Sequence, residues 1–171
     1  MTDETLQPRM RIAVFSDTHR NIDPVVSIIE GLPADTILYH LGDYMLDAMH
    51  IERLTGRRMT KVWGNNDNSH GGEDLIVEDL ADDLRVFATH GHRYGVKLDL
   101  ERLVFEAKRA GANLVLYGHT HVPAVDEIDG MMVVCPGAFY GASYMSYAEI
   151  DIGERIIPKI IKVVMEDAQI R

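Results

Sequence analysis

Cysteine is nearly absent from this chain: Cys135 is the only one among 171 residues. A lone cysteine excludes an intramolecular disulfide, so the fold does not depend on an oxidising compartment. No run approaches the roughly 20 apolar residues that a membrane-spanning helix requires. Residues 1–9 are mostly polar and contain no apolar stretch of the secretory-signal type. Together these absences predict a cytoplasmic protein with no membrane partner.

Positive charge is also scarce, with 17 Lys and Arg against 27 Asp and Glu and a formal net charge of −10. Proteins that bind long nucleic acid usually present a broad basic face, so that class of partner is not expected. A small phosphorylated substrate stays compatible with an acidic chain, because bound metal ions can supply the local positive charge. The sequence also lacks a Gly-x-Ser-x-Gly nucleophile motif, a P-loop and a dinucleotide-binding glycine pattern.

The pattern of the chain favours one α/β domain over residues 1–171, with residues 1–9 as a flexible N-terminus. Short apolar, β-branched runs alternate with helical segments in the first two-thirds, and the last third is mostly β. We predict strands at 10–15, 36–41, 60–63, 85–88, 113–117, 122–128, 131–135, 148–152 and 156–165, and helices at 23–30, 46–54 and 99–110. The acidic group Glu78, Asp79, Asp82 and Asp83 is interpreted as a solvated face and turn.

Polar residues suited to catalysis follow directly after several of the predicted strands. These stretches are Asp17-Thr18-His19, Gly42-Asp43, Gly64-Asn65-Asn66-Asp67, Thr89-His90-Gly91-His92 and Gly118-His119-Thr120-His121. In open α/β sheets, ligands bind outside the carboxyl ends of the strands. The sequence therefore predicts that these stretches form one site.

The donor types in these stretches indicate metal binding. Oxygen and imidazole donors without a thiolate suit Mn²⁺, Ni²⁺, Zn²⁺, Fe or Co²⁺. The full set is too large for one such ion, whereas two ions about 3.5–4 Å apart that share a carboxylate accommodate all of it. We therefore predict two divalent cations, with Mn²⁺ as the first choice, and the candidate ligands Asp17, His19, Asp43, Asn65, His90, His119 and His121.

In order and content, the motifs resemble those of the calcineurin-like metallophosphoesterases, and most closely the small bacterial and archaeal phosphodiesterases without accessory domains. The similarity spans residues 17–121, and the Pro136-Gly137 turn extends it. It implies a four-layer α/β/β/α sandwich of two mixed sheets flanked by helices. It also implies a hydrolase that cleaves a small phosphodiester or other phosphate ester.

The resemblance also implies a division of the ligands between two ions. Asp17, His19 and His121 would hold the first ion, and Asn65, His90 and His119 the second. Asp43 would bridge them, and a hydroxide between the ions would attack phosphorus in line with the leaving group.

Several positions depart from the pattern of the family. Position 66 is Asn where many larger relatives have a His that protonates the leaving group, and an amide cannot act as a general acid. His92 is the first candidate to replace it and His70 the second. Position 20 is Arg where small relatives usually have Gly, so Arg20 could reach a substrate phosphate. Ala138 stands where relatives usually have Ser, which removes a hydroxyl contact.

Alternative functions stay open at this level. A catalytically weak interaction scaffold of the same fold is the main alternative, since the retromer subunit of this superfamily has drifted that way. A nuclease for short oligonucleotides or cyclic nucleotides is another, and the β-rich final third could support a homo-oligomer. Tyr140, Tyr144 and Tyr147 could stack on a base, but strand packing is the favoured interpretation. Asp67 is expected to orient a ligand or to brace its own loop, His40 to pack inside the sheet, and His50 and His70 to be exposed.

Overall fold

The computed structural model describes residues 8–67 and 72–164. Its strands are β1 (Met10–Phe15), β2 (Ile37–His40), β3 (Thr60–Lys61), β4 (Leu75–Ala81), β5 (Leu84–Thr89), β6 (Leu114–Leu116), β7 (Ala124–Ile128), β8 (Met131–Cys135), β9 (Ser146–Ile152) and β10 (Ile156–Lys162). Its helices are α1 (Asp23–Gly31), α2 (Met45–Thr55), α3 (Glu101–Arg109) and a short 3₁₀ helix at His92–Tyr94.

The strands form two five-stranded sheets, both of mixed direction. In the first sheet, with the order β10-β9-β1-β2-β3, the strands β1, β2 and β3 run parallel to one another. In the second sheet, with the order β4-β5-β6-β8-β7, the parallel strands are β5, β6 and β8. The parallel strands of each sheet bring their carboxyl ends to one edge, where the predicted site residues follow them.

Alternating side chains on β1 show how each sheet separates two apolar layers. Ile12 and Val14 point into the core between the sheets, where they pack with residues of the second sheet such as Val86 and Leu114. Ala13 and Phe15 belong to a different cluster on the outer face of the first sheet. Both faces of β1 are therefore buried, as the continuous apolar run Met10–Phe15 predicts.

Helices cover the outer face of each sheet. Helices α1 and α2 bury Val25, Ile29, Ala48 and Ile51 against the first sheet. Helix α3 buries Leu103, Val104 and Ala107 against the second sheet, on the face predicted from their spacing. The order of layers is helix, sheet, sheet, helix, which confirms the predicted four-layer sandwich. No helix in the two described ranges is long and apolar enough to cross a membrane.

The interpretation as a solvated face and turn holds for Asp79, which is exposed, but was wrong for Glu78, which is half-buried; both residues lie in strand β4. This strand pairs only with β5 and forms the edge of its sheet, so its sequence alternates poorly between apolar and polar. Glu78 accepts a hydrogen bond of 2.6 Å from the hydroxyl of Tyr39 in the other sheet. The turn itself is confined to Asp82 and Asp83.

Other boundaries differ by a few residues. Strand β3 is shorter than predicted because only Thr60 and Lys61 pair with β2. Strand β7 begins at Ala124, after Pro123. Helix α3 begins at Glu101, two residues after the predicted Asp99. The predicted strand 156–165 is observed as far as Lys162, and its last residue, like most of the predicted N-terminal segment 1–9, lies outside the described residues.

Candidate metal centre

The predicted ligands follow strands of both sheets and meet at one edge of the sandwich. Asp17 and His19 follow β1, and Asp43 follows β2. His90 follows β5, so the second sheet contributes to the same place. The complete set that the structure brings together is Asp17, His19, Asp43, Asn65, His90, His119 and His121.

One group of donors surrounds the imidazole of His19. Donor atoms of Asp17, His19, Asp43 and His121 all lie within 4.8 Å of one another. Nε2 of His19 is 3.9 Å from Asp17 Oδ1 and 3.6 Å from Asp43 Oδ2, which is too long for hydrogen bonds. This buried nitrogen has no hydrogen-bond partner among the described residues. A divalent cation between these atoms would satisfy it, so the donor set fits a metal.

A second group of donors surrounds His90. Nδ1 of His90 is 2.7 Å from the carbonyl oxygen of Leu41, so this nitrogen carries the proton. Nε2 of the neutral ring is then an acceptor, yet it lies 3.1 Å from Asn65 Oδ1 and 3.5 Å from Asp43 Oδ1, which are acceptors also. Nδ1 of His119 completes the group at 3.1 Å from the same Nε2. Acceptor atoms this close together repel one another, whereas a cation between them would be coordinated by all of them.

Asp43 lies between the two groups of donors. Its Oδ2 faces His19 and its Oδ1 faces His90, at 3.6 and 3.5 Å respectively. Asn66 fixes this orientation, because its side-chain amide donates to Oδ2 at 2.6 Å and its backbone N–H donates to Oδ1 at 3.0 Å. The side chain of Asp43 is 2% exposed. One buried carboxylate therefore presents an oxygen to each group.

The protonation states of the site also suit a metal. Burial is the largest single effect and opposes ionisation of Asp17, but His121, His19, His90 and Ser16 together outweigh it and hold the pKa of Asp17 well below its usual range. The hydrogen bond with Asp17 raises the pKa of His121. Burial, with His90 nearby, lowers the pKa of His119 to about 4. Asp17 is therefore an anion and His119 is neutral at pH 7, as ligation requires.

The backbone of the site is strained at the ligands themselves. Positive φ angles at residues other than glycine cost on the order of 1–3 kcal/mol each and cluster at functional sites. The loops after β1, β2 and β6 adopt such angles, which aim successive side chains at a common point. The ligand residues concerned are Asp17 (φ 53°), His19 (44°), Asp43 (57°), His119 (70°) and His121 (59°).

Over residues 10–154 the sequence matches the calcineurin-like phosphoesterase superfamily domain. The chain belongs to this superfamily. A phosphodiesterase of Methanocaldococcus jannaschii is 30% identical over 150 aligned positions, which cover 77% of this chain and 86% of that protein. The resemblance inferred from the five motifs is therefore confirmed.

Solved structures agree with this family fold. A predicted phosphoesterase from Streptococcus pneumoniae superposes with a TM-score of 0.78 at 22% identity, covering 90% of this chain and 89% of that one. Zinc-bound vacuolar protein sorting 29 from Entamoeba histolytica superposes with a TM-score of 0.72 at 17% identity, covering 90% and 99%. At these identities the likeness establishes the fold alone.

The remaining predicted site residues lie at the rim or outside the described ranges. His92, in the 3₁₀ helix after β5, has its ring 5.4 Å from that of His90, and burial lowers its pKa. Arg20 is exposed, with its guanidinium 5.6 Å from the ring centre of Tyr44. His70 lies outside the described residues.

Residues predicted to have supporting roles fulfil them. Asp67 braces its own loop, because its carboxylate accepts from the backbone N–H of Gly64 at 2.8 Å and of Met45 at 2.6 Å. His40 is fully buried in the first sheet, and His50 is exposed. Tyr147 packs in the core against Phe15, with ring centres 5.3 Å apart, but the same expectation was wrong for Tyr140 and Tyr144, which are exposed in the loop before β9.

Asp47 is a residue that the sequence analysis missed. It lies in the first turn of α2, and its Oδ2 accepts from the Thr18 hydroxyl at 2.7 Å and from the Arg20 backbone N–H at 2.6 Å. These two donors flank His19 in the chain. The Thr18 hydroxyl in turn lies 3.1 Å from His40 Nε2, while His40 Nδ1 accepts from the Gly42 N–H at 3.3 Å. A buried chain of hydrogen bonds thus links the loop of His19 to the loop of Asp43.

Asp47→Ala is expected to lower the affinity for Mn²⁺ about tenfold, on the scale found for groups that orient metal ligands. The substitution leaves the Thr18 hydroxyl and the Arg20 N–H without their acceptor, so the strained loop of His19 loses its restraint. Calorimetric titration of chelator-treated protein with Mn²⁺ measures the effect. Asp47→Asn, which keeps an acceptor oxygen, should recover part of the affinity, and the exposed Asp82→Ala should bind like the wild type. Wild-type affinity in Asp47→Ala contradicts the role.

Proposed function

We propose that this chain is a phosphodiesterase that works with two divalent cations. The position of Asp43, one buried carboxylate with an oxygen toward each of two donor groups, carries the proposal. Membership of the superfamily supports phosphate-ester hydrolysis, and the archaeal phosphodiesterase at 30% identity supports a diester substrate. The retained donor set argues for catalysis over a purely structural use of the fold.

In this proposal Asp17, His19 and His121 would hold one cation and Asn65, His90 and His119 the other, and Asp43 would contribute an oxygen to each. Bound divalent cations of this kind generate a nucleophile from water at neutral pH and neutralise charge on the phosphoryl oxygens. The chain itself supplies the rigid geometry: Asn66 orients Asp43, and the carbonyl of Leu41 fixes the tautomer of His90. Manganese as the native metal and a cytoplasmic location are further parts of the proposal.

His92 and Arg20 are the residues that we assign to the substrate. His92 lies beside His90 and His119, with ring centres 5.4 and 6.1 Å away, on the side of the second donor group. Its Nδ1 is buried and has no hydrogen-bond partner among the described residues. In this proposal the imidazole of His92 donates a proton to the leaving-group oxygen. Arg20 directly follows His19 and is exposed, and in this proposal its guanidinium binds a non-bridging phosphate oxygen.

His92→Gln is expected to slow hydrolysis of an alkyl phosphodiester about 100-fold, the lower range for removal of a general acid. The same variant should hydrolyse bis(p-nitrophenyl) phosphate at a rate within a few fold of wild type, since nitrophenolate leaves without protonation. Comparing kcat for the two substrates measures the difference. An equal loss on both substrates would instead assign His92 to positioning of the metal site.

The proposed function is tested by hydrolysis of a chromogenic phosphodiester and the matching monoester. Purified protein is treated with a chelator, assayed, and assayed again after addition of Mn²⁺, Ni²⁺ or Zn²⁺. We expect turnover of the diester to disappear with chelation and return with metal, and to exceed turnover of the monoester. Diester hydrolysis that is indifferent to chelation would contradict the proposal.

An interaction scaffold is the second candidate function. The observation that favours it is Asn66, which hydrogen-bonds Asp43 and occupies the position where many relatives carry a proton-donating histidine. Vacuolar protein sorting 29 shares the fold. The scaffold account predicts metal binding without turnover of any diester, so the same assay combined with a metal titration separates the two functions.

A further inference from the structure

Two tyrosines flank the ring of His19 at the rim of the metal centre. The ring centre of Tyr44 is 4.9 Å from that of His19, and the ring centre of Tyr140 is 5.3 Å away. Tyr44 directly follows Asp43, while Tyr140 lies in the loop after β8. Two separate loops therefore place aromatic rings beside one proposed ligand, and we call Tyr44 and Tyr140 the aromatic wall.

Packing does not account for Tyr140. Its neighbour Phe139 is buried in the core, and Tyr147 stacks on Phe15 there, whereas Tyr140 is 62% exposed. An aromatic side chain that is exposed beside a polar centre gains favourable burial free energy when a ligand covers it. The position of Tyr140 is thus explained by binding better than by folding.

A cavity of about 210 Å³ lies beside His121 and is also lined by Gly141, which directly follows Tyr140 in the chain. Val122 and Pro123 give it apolar sides, and Tyr144 closes it. Lys162 covers the ring of Tyr144, with Nζ 4.8 Å from the ring centre, and holds that side of the cavity. Space for an uncharged group therefore lies next to His121, one of the proposed ligands, and next to the loop of Tyr140.

The charges around the wall favour an uncharged ring over a second charged group. The chain carries a formal net charge of −10, which disfavours further anionic groups on a substrate. The guanidinium of Arg20 lies 5.6 Å from the ring centre of Tyr44, and the proposed function assigns it to the phosphate itself. A planar, neutral ring attached to a phosphate ester matches both features.

We propose that the aromatic wall binds a planar ring, a nucleobase or aryl group, on the ester group of the substrate. The inference rests on the proposed phosphodiesterase function and narrows its substrate class. Stacking of one base on an aromatic side chain is sequence-tolerant and strong enough to change affinity by about tenfold or more. The preferred substrates are accordingly diesters of nucleosides or aryl alcohols, and simple alkyl diesters are poorer ones.

The test uses adenosine 5′-monophosphate and ribose 5-phosphate as probes, because they share the sugar phosphate and differ by the base. Binding of each to Mn²⁺-loaded protein is measured by calorimetry, which does not depend on turnover. We expect the nucleotide to bind about tenfold more tightly. Tyr140→Leu should remove this advantage and Tyr140→Phe should keep it, while Phe105→Leu, on the exposed surface of α3, should behave as wild type.

Equal affinities of the two probes for the wild-type protein would overturn the inference, as would an advantage that persists in Tyr140→Leu. A parallel loss of both affinities in Tyr140→Leu would also overturn it, because the residue would then act on the phosphate site. If any of these results is found while diester hydrolysis still depends on metal, the inference fails and the proposed phosphodiesterase function is unaffected. Absence of metal-dependent diester hydrolysis would instead contradict the proposed function itself.

Discussion

Asp43→Ala is expected to lower kcat/KM for a phosphodiester by about 1000-fold or more. Removal of a single charge-stabilising group in an active site costs on the order of 100- to 1000-fold, and Asp43 serves both donor groups at once. Its two oxygens face His19 and His90 at 3.6 and 3.5 Å. Loss of both contacts should weaken binding of both cations. Steady-state kinetics at saturating Mn²⁺, with calorimetric titration of the metal, measures the two effects.

Two further variants separate chemistry from folding. Asp43 has a left-handed backbone with φ 57°, which alanine tolerates less well than asparagine. Asp43→Asn keeps the shape and the backbone and removes the charge, so it should lose most of the activity while keeping the melting temperature near that of wild type. Asp82→Ala removes a carboxylate from the exposed turn between β4 and β5 and should retain full activity. Near-normal turnover in Asp43→Asn would contradict the bridging role.

Gly64→Ala is expected to lower activity nearly as much, although Gly64 contributes no metal ligand. A methyl group at this position would overlap Oδ1 and the backbone nitrogen of Asp43. Backbone atoms cannot move aside as a flexible side chain can, so either the loop of Asp43 or the loop of Asn65 must shift. We expect a loss of about 100-fold in kcat/KM, on the scale of a misplacement near 1 Å, and a destabilisation of about 1–3 kcal/mol from overpacking.

Gly31→Ala is the matched control for this prediction. An added methyl group at Gly31 meets no atom within 4 Å. This residue is the last of helix α1 and is not adjacent in the chain to any proposed ligand. Alanine should leave activity unchanged and stabilise the helix by up to about 1 kcal/mol. Thermal melts and kinetics of both variants measure the contrast. Full activity in Gly64→Ala would show that the loop of Asp43 does not depend on this close approach.

The sequence is informative about the site because the ligands follow strands. The apolar run Met10–Phe15 and the short run Leu114–Leu116 can each be assigned as strands. Parallel pairing then places Asp17 beside Asp43 at the end of one sheet and His119 beside His90 at the end of the other. The division of the helices between the two sheets followed from the family resemblance. Strand lengths were predicted less well, since β3 ends where pairing ends and not where the apolar run does.

Asp47, Tyr44 and strand β4 could not be identified in the same way. Asp47 is a first-turn residue of α2, a position where an acidic side chain is ordinary, and its role depends on the left-handed backbone at His19 and Arg20. Tyr44 faces His19 only because its own backbone is left-handed. Strand β4 lies at the edge of its sheet. Because it has a neighbouring strand on one side and not on the other, its sequence shows a weaker apolar pattern than a central strand. Each depends on tertiary geometry that spacing along the chain does not encode.

The departure at position 66 has a structural consequence that composition alone does not show. Asn66 donates two hydrogen bonds to Asp43, one from its side chain and one from its backbone. The residue therefore stabilises the carboxylate between the two donor groups. In the proposed function, proton donation to the leaving group would fall to another residue, and His92, with its ring centre 5.4 Å from that of His90, is the candidate.

The number of cations that one chain binds is the most direct test of the proposed two-cation phosphodiesterase. Chelator-treated protein titrated with Mn²⁺, with bound metal counted per chain and diester hydrolysis followed in parallel, measures this number. We expect two bound ions per chain in the wild type, fewer than two in Asp43→Asn, and diester hydrolysis that appears only as the ions bind. A single ion that supports full activity, or full activity with none, would contradict the proposed function.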